Sequence, residues 1–455
     1  MVFTQTCATG SDCTKLRNCE ERQITRLKLS LEQRNIPSMH RALAALITAT
    51  VVNGGITLIA SPGLSQTSPE LTKKVLQMER DREKEFEDYF DEDLATVSKT
   101  ADQTAAELSR LSAITGTRSA LLYVIPRKNH LHLVLITPGG TPIVKDFYDV
   151  TDPLLFKTAQ RFHTSILRLN QAATQTTGQQ LYDWIIKPYE QELKEAKINL
   201  LLFCLGDGIK DLALPALSNN NTYLIETYAM SRIPAFNLID TRYKPFESGA
   251  LLAMGASKFQ DRTIPPLPGA TKELNLLNQS LNQGNQNNWT VNRLENRNFT
   301  QNNINRQMAT TPYSTLHIST HSQFKPGKAH ASYIQLWDQK LKLNALNTIA
   351  WKQSGADLIV LSSCQSALGD QDAANGFAGL ALKAGIPSAI GTLWSINDKT
   401  TATLMKNFYQ ALPNSTTKAQ ALQSAQVAAL RGTDSSSAER TPYYWAGFSL
   451  ISTPW

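Results

Sequence analysis

The chain has 455 residues, with 42% hydrophobic and 18% charged side chains. That is enough apolar content for a sizeable core and too few charges for a mostly disordered polymer; the length predicts two or three domains. The net charge of +7 comes from scattered Lys and Arg with no long basic run and no basic–aromatic stripe, so no nucleic-acid partner is expected.

The first three cysteines, Cys7, Cys13 and Cys19, lie in a polar stretch at spacings that match no zinc pattern, and His40 stands alone beyond them. Residues 42–60 form the one long uncharged apolar run, interrupted by Asn53-Gly54-Gly55. Arg41 precedes it and Ser61-Pro62-Gly63 follows, the layout of a secretory signal. A start at Met39 would leave Met39-His40-Arg41 as a short basic leader. Residues 1–66 are therefore expected to be a leader or a signal/anchor region. Export is the first reading, membrane association through residues 42–60 the second, and a cytoplasmic chain the outcome if the leader is not used.

Residues 67–196 predict a small α+β unit. Pro69–Thr115 reads as solvated helix with one apolar stripe, and strands follow at 119–125, 131–137 and 141–150. Helices are expected near 153–173 and 178–195. From 197 to 455, strands alternate with helices: 199–205, 250–256, 289–294, 315–320, 357–363 and 388–394 are the strands. Helices are expected near 270–281, 301–309, 344–353, 375–384, 398–411 and 415–430. This alternation predicts an α/β fold, a mostly parallel sheet flanked by helices. Cys204, inside Leu200-Leu201-Leu202-Phe203-Cys204-Leu205, reads as a core thiol.

His321 and Cys364 each close a buried strand pattern, in Leu316-His317-Ile318-Ser319-Thr320-His321-Ser322 and Val360-Leu361-Ser362-Ser363-Cys364-Gln365-Ser366. In an open α/β sheet, reacting groups collect at the carboxyl ends of strands. A thiol and an imidazole at neighbouring strand ends make a nucleophile and its proton acceptor, which points to a cysteine protease. His317 lies four residues before His321, on one face of a regular strand. No third ligand is evident, so neither a metal nor a cofactor is expected there.

Together with Gly391-Thr392-Leu393-Trp394 and Tyr443-Tyr444-Trp445-Ala446-Gly447-Phe448, those runs resemble, in order, the successive motifs of CHAT domains. Leu205-Gly206-Asp207-Gly208 and Leu214-Pro215-Ala216-Leu217 look like the opening of such a domain. These are caspase-like proteases of the clan that also holds caspases, metacaspases and separase. The resemblance implies a caspase-like α/β fold with His321 and Cys364 as the catalytic dyad. It also implies that the backbone N–H groups of Ser322 and Cys364 receive the oxyanion, and that the substrate is a protein or peptide. The family usually has Gly where Ser322 stands. Ser395 follows Trp394 where caspases carry an Arg that reads an acidic P1 residue. Trp394-Ser395-Ile396-Asn397-Asp398 is more similar to the separase segment whose Asp pairs with a P1 Arg. Asp207, Trp394 and Asp398 are thus the substrate-binding candidates, the two aspartates for a basic P1 residue by charge pairing. A catalytically inactive caspase-fold interaction module and a Cys-dependent enzyme acting on a non-peptide acyl group are the alternatives.

Overall fold

The computed structural model describes residues 49–52, 55–58, 68–90, 97–220, 222–282, 289–324, 329–362, 364–366, 384–396, 398–432 and 438–455. Met1–Ser65 and Gln66–Trp455 form separate units. In the first, Ala49–Val52 and Gly55–Leu58 pair as antiparallel strands. The rest of the expected signal or anchor stretch lies outside the described residues. Among the described residues no helix is long and apolar enough to cross a membrane.

The second unit opens with α1 (Pro69–Phe90) and α2 (Ala101–Thr115). The single helical stretch expected over 69–115 is interrupted here. Thr100 is extended, accepts from the Gln103 N–H, and has its own N–H held by the Gln103 side chain, a reciprocal cap that starts a new helix. Strands β1 (Ser119–Arg127), β2 (His130–Ile136) and β3 (Ile143–Phe147) follow, then α3 (Asp152–Leu167), α4 (Gln171–Ile185) and α5 (Glu190–Glu195). Next come β4 (Leu200–Leu205), β5 (Ala229–Arg232), β6 (Gly249–Gly255), α6 (Pro268–Asn282), β7 (Trp289–Glu295) and α7 (Gln301–Thr310). The chain continues through β8 (Thr315–Ser319), β9 (Ser322–Phe324), β10 (Tyr333–Gln335), β11 (Lys340–Lys342), β12 (Leu358–Leu361) and β13 (Cys364–Ser366). It ends with β14 (Ser388–Thr392), α8 (Asp398–Ala411), α9 (Lys418–Arg431) and β15 (Phe448–Ser452). The helix expected near 344–353 is two short 3₁₀ turns, and the one expected at 375–384 lies almost wholly outside the described residues.

Among the described residues, eleven strands form one sheet in the order β7-β6-β8-β12-β14-β15-β5-β4-β1-β2-β3. The strands of 67–196 thus hydrogen-bond directly onto those that follow, with Ser119 opposite Leu200. Directions divide this sheet. β7, β6, β8, β12 and β14 are mutually parallel. β15 is antiparallel to β14, and β5, β4 and β1 run with β15. The carboxyl ends of β8 and β12 therefore lie at one end of the sheet and that of β4 at the other.

The central strands are apolar throughout because both faces are covered. All six residues of β4, for example, are buried, as are all four of β12. A second sheet of four short strands, β11-β10-β9-β13, continues directly beyond the ends of β8 and β12.

Candidate functional site

His321 falls in the break between β8 and β9, half-buried. Cys364 opens β13 just beyond β12, and β9 and β13 pair in parallel with Ser322 directly opposite Cys364. Adjacent strands lie about 4.8 Å apart, so this register sets the two backbones side by side. The side chain of Cys364 lies outside the described residues. Ser322 sits in a regular strand and is not among the residues with positive φ, so it carries no left-handed backbone strain.

The His321 ring is held on two sides. Its Nε2 lies 2.9 Å from the Pro265 carbonyl oxygen, and its face tilts against Phe259 at 5.4 Å between centroids. A carbonyl only accepts, so Nε2 carries the proton and Nδ1 is left with the lone pair. That tautomer is the one a base needs.

Beneath the ring is a cavity of about 130 Å³ lined by His321, Ser319, Ser362, Thr392, Glu273 and Asp398, among others. Asp398 begins α8, and Gly269 at the start of α6 lets it approach: a Cβ there would stand 2.4 Å from Asp398 Oδ2. Glu273 is the residue that sequence reasoning missed. It is buried, and its Oε2 accepts from Ser319 Oγ at 2.7 Å and Ser362 Oγ at 2.8 Å. One carboxylate thus ties together the ends of β8 and β12, the two strands that lead to His321 and Cys364. Its Oε1 lies 3.3 Å from His317 Nε2 without the alignment of a hydrogen bond. His317 Nδ1 is in turn 3.2 Å from the Tyr409 hydroxyl. Burial, then the Glu273 charge, pushes the Tyr409 phenol well above its usual range, so the hydroxyl keeps its proton. His317 is a fully buried supporting residue within this network. The signal for Glu273 was present: it occupies the apolar stripe Ala270, Leu274, Leu277 and Leu281 of α6, all buried.

The other expected residues go elsewhere. Trp394, expected beside substrate, is a core side chain at 2% exposure. Its Nε1 donates to the Tyr443 carbonyl at 2.9 Å, and a Cβ on Gly447 would come within 2.9 Å of its ring. The Gly391–Trp394 and Tyr443–Phe448 motifs are thus two halves of one packed brace. Asp207 follows β4, which runs opposite to β8, and so lies at the far end of the sheet from His321. It pairs there with Lys210 at 2.8 Å and Arg82 at 3.6 Å, and is not among the residues that line the cavity.

The CHAT domain family matches residues 175–453, more than half of the sequence. The chain belongs to the CHAT domain family. The fold of this CHAT domain is the α/β arrangement described above, a mostly parallel sheet flanked by helices. No curated protein sequence matches it significantly. Among solved structures it is similar to Saccharomyces cerevisiae separase in its complex with securin, with TM-score 0.46 and 9% identity over 86% of this chain and 34% of that one. It is also similar to the Porphyromonas gingivalis RgpB pro- and mature domains (TM-score 0.38, 11% identity, 73% and 78% covered). A third likeness is to the Arg-specific cysteine proteinase gingipain R (TM-score 0.39, 11% identity, 75% and 78% covered). The CHAT chain spans about a third of the length of the separase chain it matches.

Proposed function

We propose that this CHAT protein is a cysteine endopeptidase that hydrolyses peptide bonds through an acyl-enzyme. The observation that carries the reading is the pairing of Ser322 with Cys364, next to an imidazole whose Nε2–H is fixed on Pro265. His321 Nδ1 takes the thiol proton of Cys364, the thiolate attacks the scissile carbonyl, and the imidazolium returns the proton to the leaving amine. The backbone N–H groups of Ser322 and Cys364 receive the oxyanion. Water then cleaves the thioester with His321 again as base. No metal takes part in these steps.

Asp398 and the buried Glu273 give the adjoining cavity two carboxylates and no Lys or Arg among its lining residues, which favours a basic P1 side chain. Asp207 has no part in this pocket. Digestion of a peptide library tests the reading. Cleavage after Arg or Lys, absent in Cys364→Ala, is expected. Products without a basic P1 residue would remove the specificity, and no cleavage of any peptide would favour the inactive interaction module. Export directed by residues 42–60 is part of the proposal. Sequencing the amino terminus of the protein recovered from cells checks it, and a chain that begins at Met1 or Val2 would overturn it.

A further inference from the structure

Away from the cleft, His130, His132 and Asp146 hold potential ligand atoms all within 4.8 Å of one another. Strand geometry puts them there. His130 and His132 are two apart in β2, so both imidazoles leave the same face. Asp146 in β3 is the cross-strand partner of His132 and shares that face. Asp146 Oδ1 lies 2.6 Å from His132 Nδ1 and 3.6 Å from His130 Nε2.

His130 is oriented for more than packing. Its Nδ1 is 2.8 Å from the side-chain oxygen of Asn129, an acceptor, so Nδ1 carries the proton and the Nε2 lone pair turns toward Asp146. The Tyr148 ring lies against it at 5.0 Å between centroids. An outer acceptor that fixes the tautomer and ring orientation is what metal-binding histidines ordinarily have.

We propose that His130, His132 and Asp146 bind a divalent transition-metal ion of the zinc class. Ligand atoms around tetrahedral zinc lie about 3.3 Å apart, from metal–ligand distances near 2.0–2.1 Å. The 3.6 Å separation of His130 from Asp146 is already close to that. The 2.6 Å contact of His132 with Asp146 is a hydrogen bond whose proton the ion replaces, and the pair opens as the proton leaves. The fourth position faces a cavity of about 340 Å³, where Asp81 of α1 or water can complete the set. Lys74 and Arg127 also line this cavity; Lys74 is paired with Glu70 at 3.0 Å, and the Asp81 and Asp146 carboxylates offset the two cations. Two imidazoles with one carboxylate select zinc-like ions over magnesium or calcium, which favour all-oxygen sites. The site lies seven strand steps from β8, roughly 30 Å at about 4.8 Å per step, so it ties β2 to β3 and takes no part in chemistry at His321.

The test is equilibrium dialysis of the full chain against Zn²⁺, in a Cys364→Ser background so that this thiol contributes no ligand. The same background with His132→Ala or Asp146→Asn is compared. Each is expected to bind one equivalent less, to lose one tetrahedral band set in the Co²⁺ visible spectrum, and to lose part of the zinc-dependent rise in Tm. Asp146→Asn is nearly isosteric and keeps the hairpin if His132→Ala does not fold. Equal zinc stoichiometry in the background and Asp146→Asn proteins, or equal stabilisation by Mg²⁺ at the same concentration, overturns the site.

Discussion

In β4, Cys204 is wholly buried, donates to the Pro234 carbonyl at 3.3 Å, and has its thiol pushed far above the usual range, first by burial and then by the Glu79 charge. Cys364 instead opens a three-residue strand beyond the end of β12, opposite the residue that follows His321. Cys204 lies within one parallel block of the large sheet, and Cys364 lies just beyond a strand of the other block, which runs in the opposite direction. One block spends its cysteine mid-strand as core volume, where a thiolate is suppressed. The other cysteine lies past the end of β12, opposite the residue that follows His321. Both cysteines follow apolar strand sequence, so under the proposed function it is position along the strand, not the preceding sequence, that separates the nucleophile from the core thiol.

The largest effect that could break this contrast is loss of the dyad. Cys364→Ala and His321→Ala are each expected to lower peptide cleavage at least about a thousandfold, with unchanged circular dichroism. Retained cleavage in either variant contradicts the assignment. Next is the carboxylate that ties the two strand ends. Glu273→Ala leaves the hydroxyls of Ser319 and Ser362 without their acceptor and is expected to cost about 2–4 kcal/mol in urea unfolding. Glu273→Gln keeps an acceptor and should lose less; equal stability of all three proteins would remove the tie. Smaller still is the change in selectivity. Asp398→Ala should weaken the preference for basic P1 residues about tenfold while Asp207→Ala leaves it unchanged, because only Asp398 lines the cavity. A shift in Asp207→Ala would put the wrong end of the sheet in the site. Cys204→Ala is the mildest, with cleavage unaltered and a stability loss of about 1 kcal/mol in the same urea titration.

Much of this was legible in the chain. The apolar β-branched runs of β8, β12 and β14 declared strands buried on both faces, and the polar residues at their ends marked His321 and Cys364. What could not be read was direction. β5 is only Ala-Met-Ser-Arg, with a buried Arg232 whose guanidinium burial pulls down to about 10, and nothing in it alternates. β15 shares only Phe448 with the Tyr443–Phe448 motif, and no strand is expected there from the sequence. The reversal falls between β14 and β15, so a mostly parallel sheet leaves β4 pointing the same way as β8, while Asp207 is expected at the site by charge pairing alone. Trp394 misled for a related reason: an aromatic beside a motif can brace the motif from below. Glu273 stands out in the sequence as a carboxylate on an apolar helical stripe, but its two serine partners lie on distant strands and are seen only in the fold.

Reaction with an electrophilic peptide, followed by digestion and mass mapping of the adduct, tests the central claim most directly. The account predicts a single adduct on Cys364 that disappears in His321→Ala while Cys204 stays unmodified. Modification of Cys204 in preference to Cys364, or labelling of Cys364 that does not depend on His321, would contradict it.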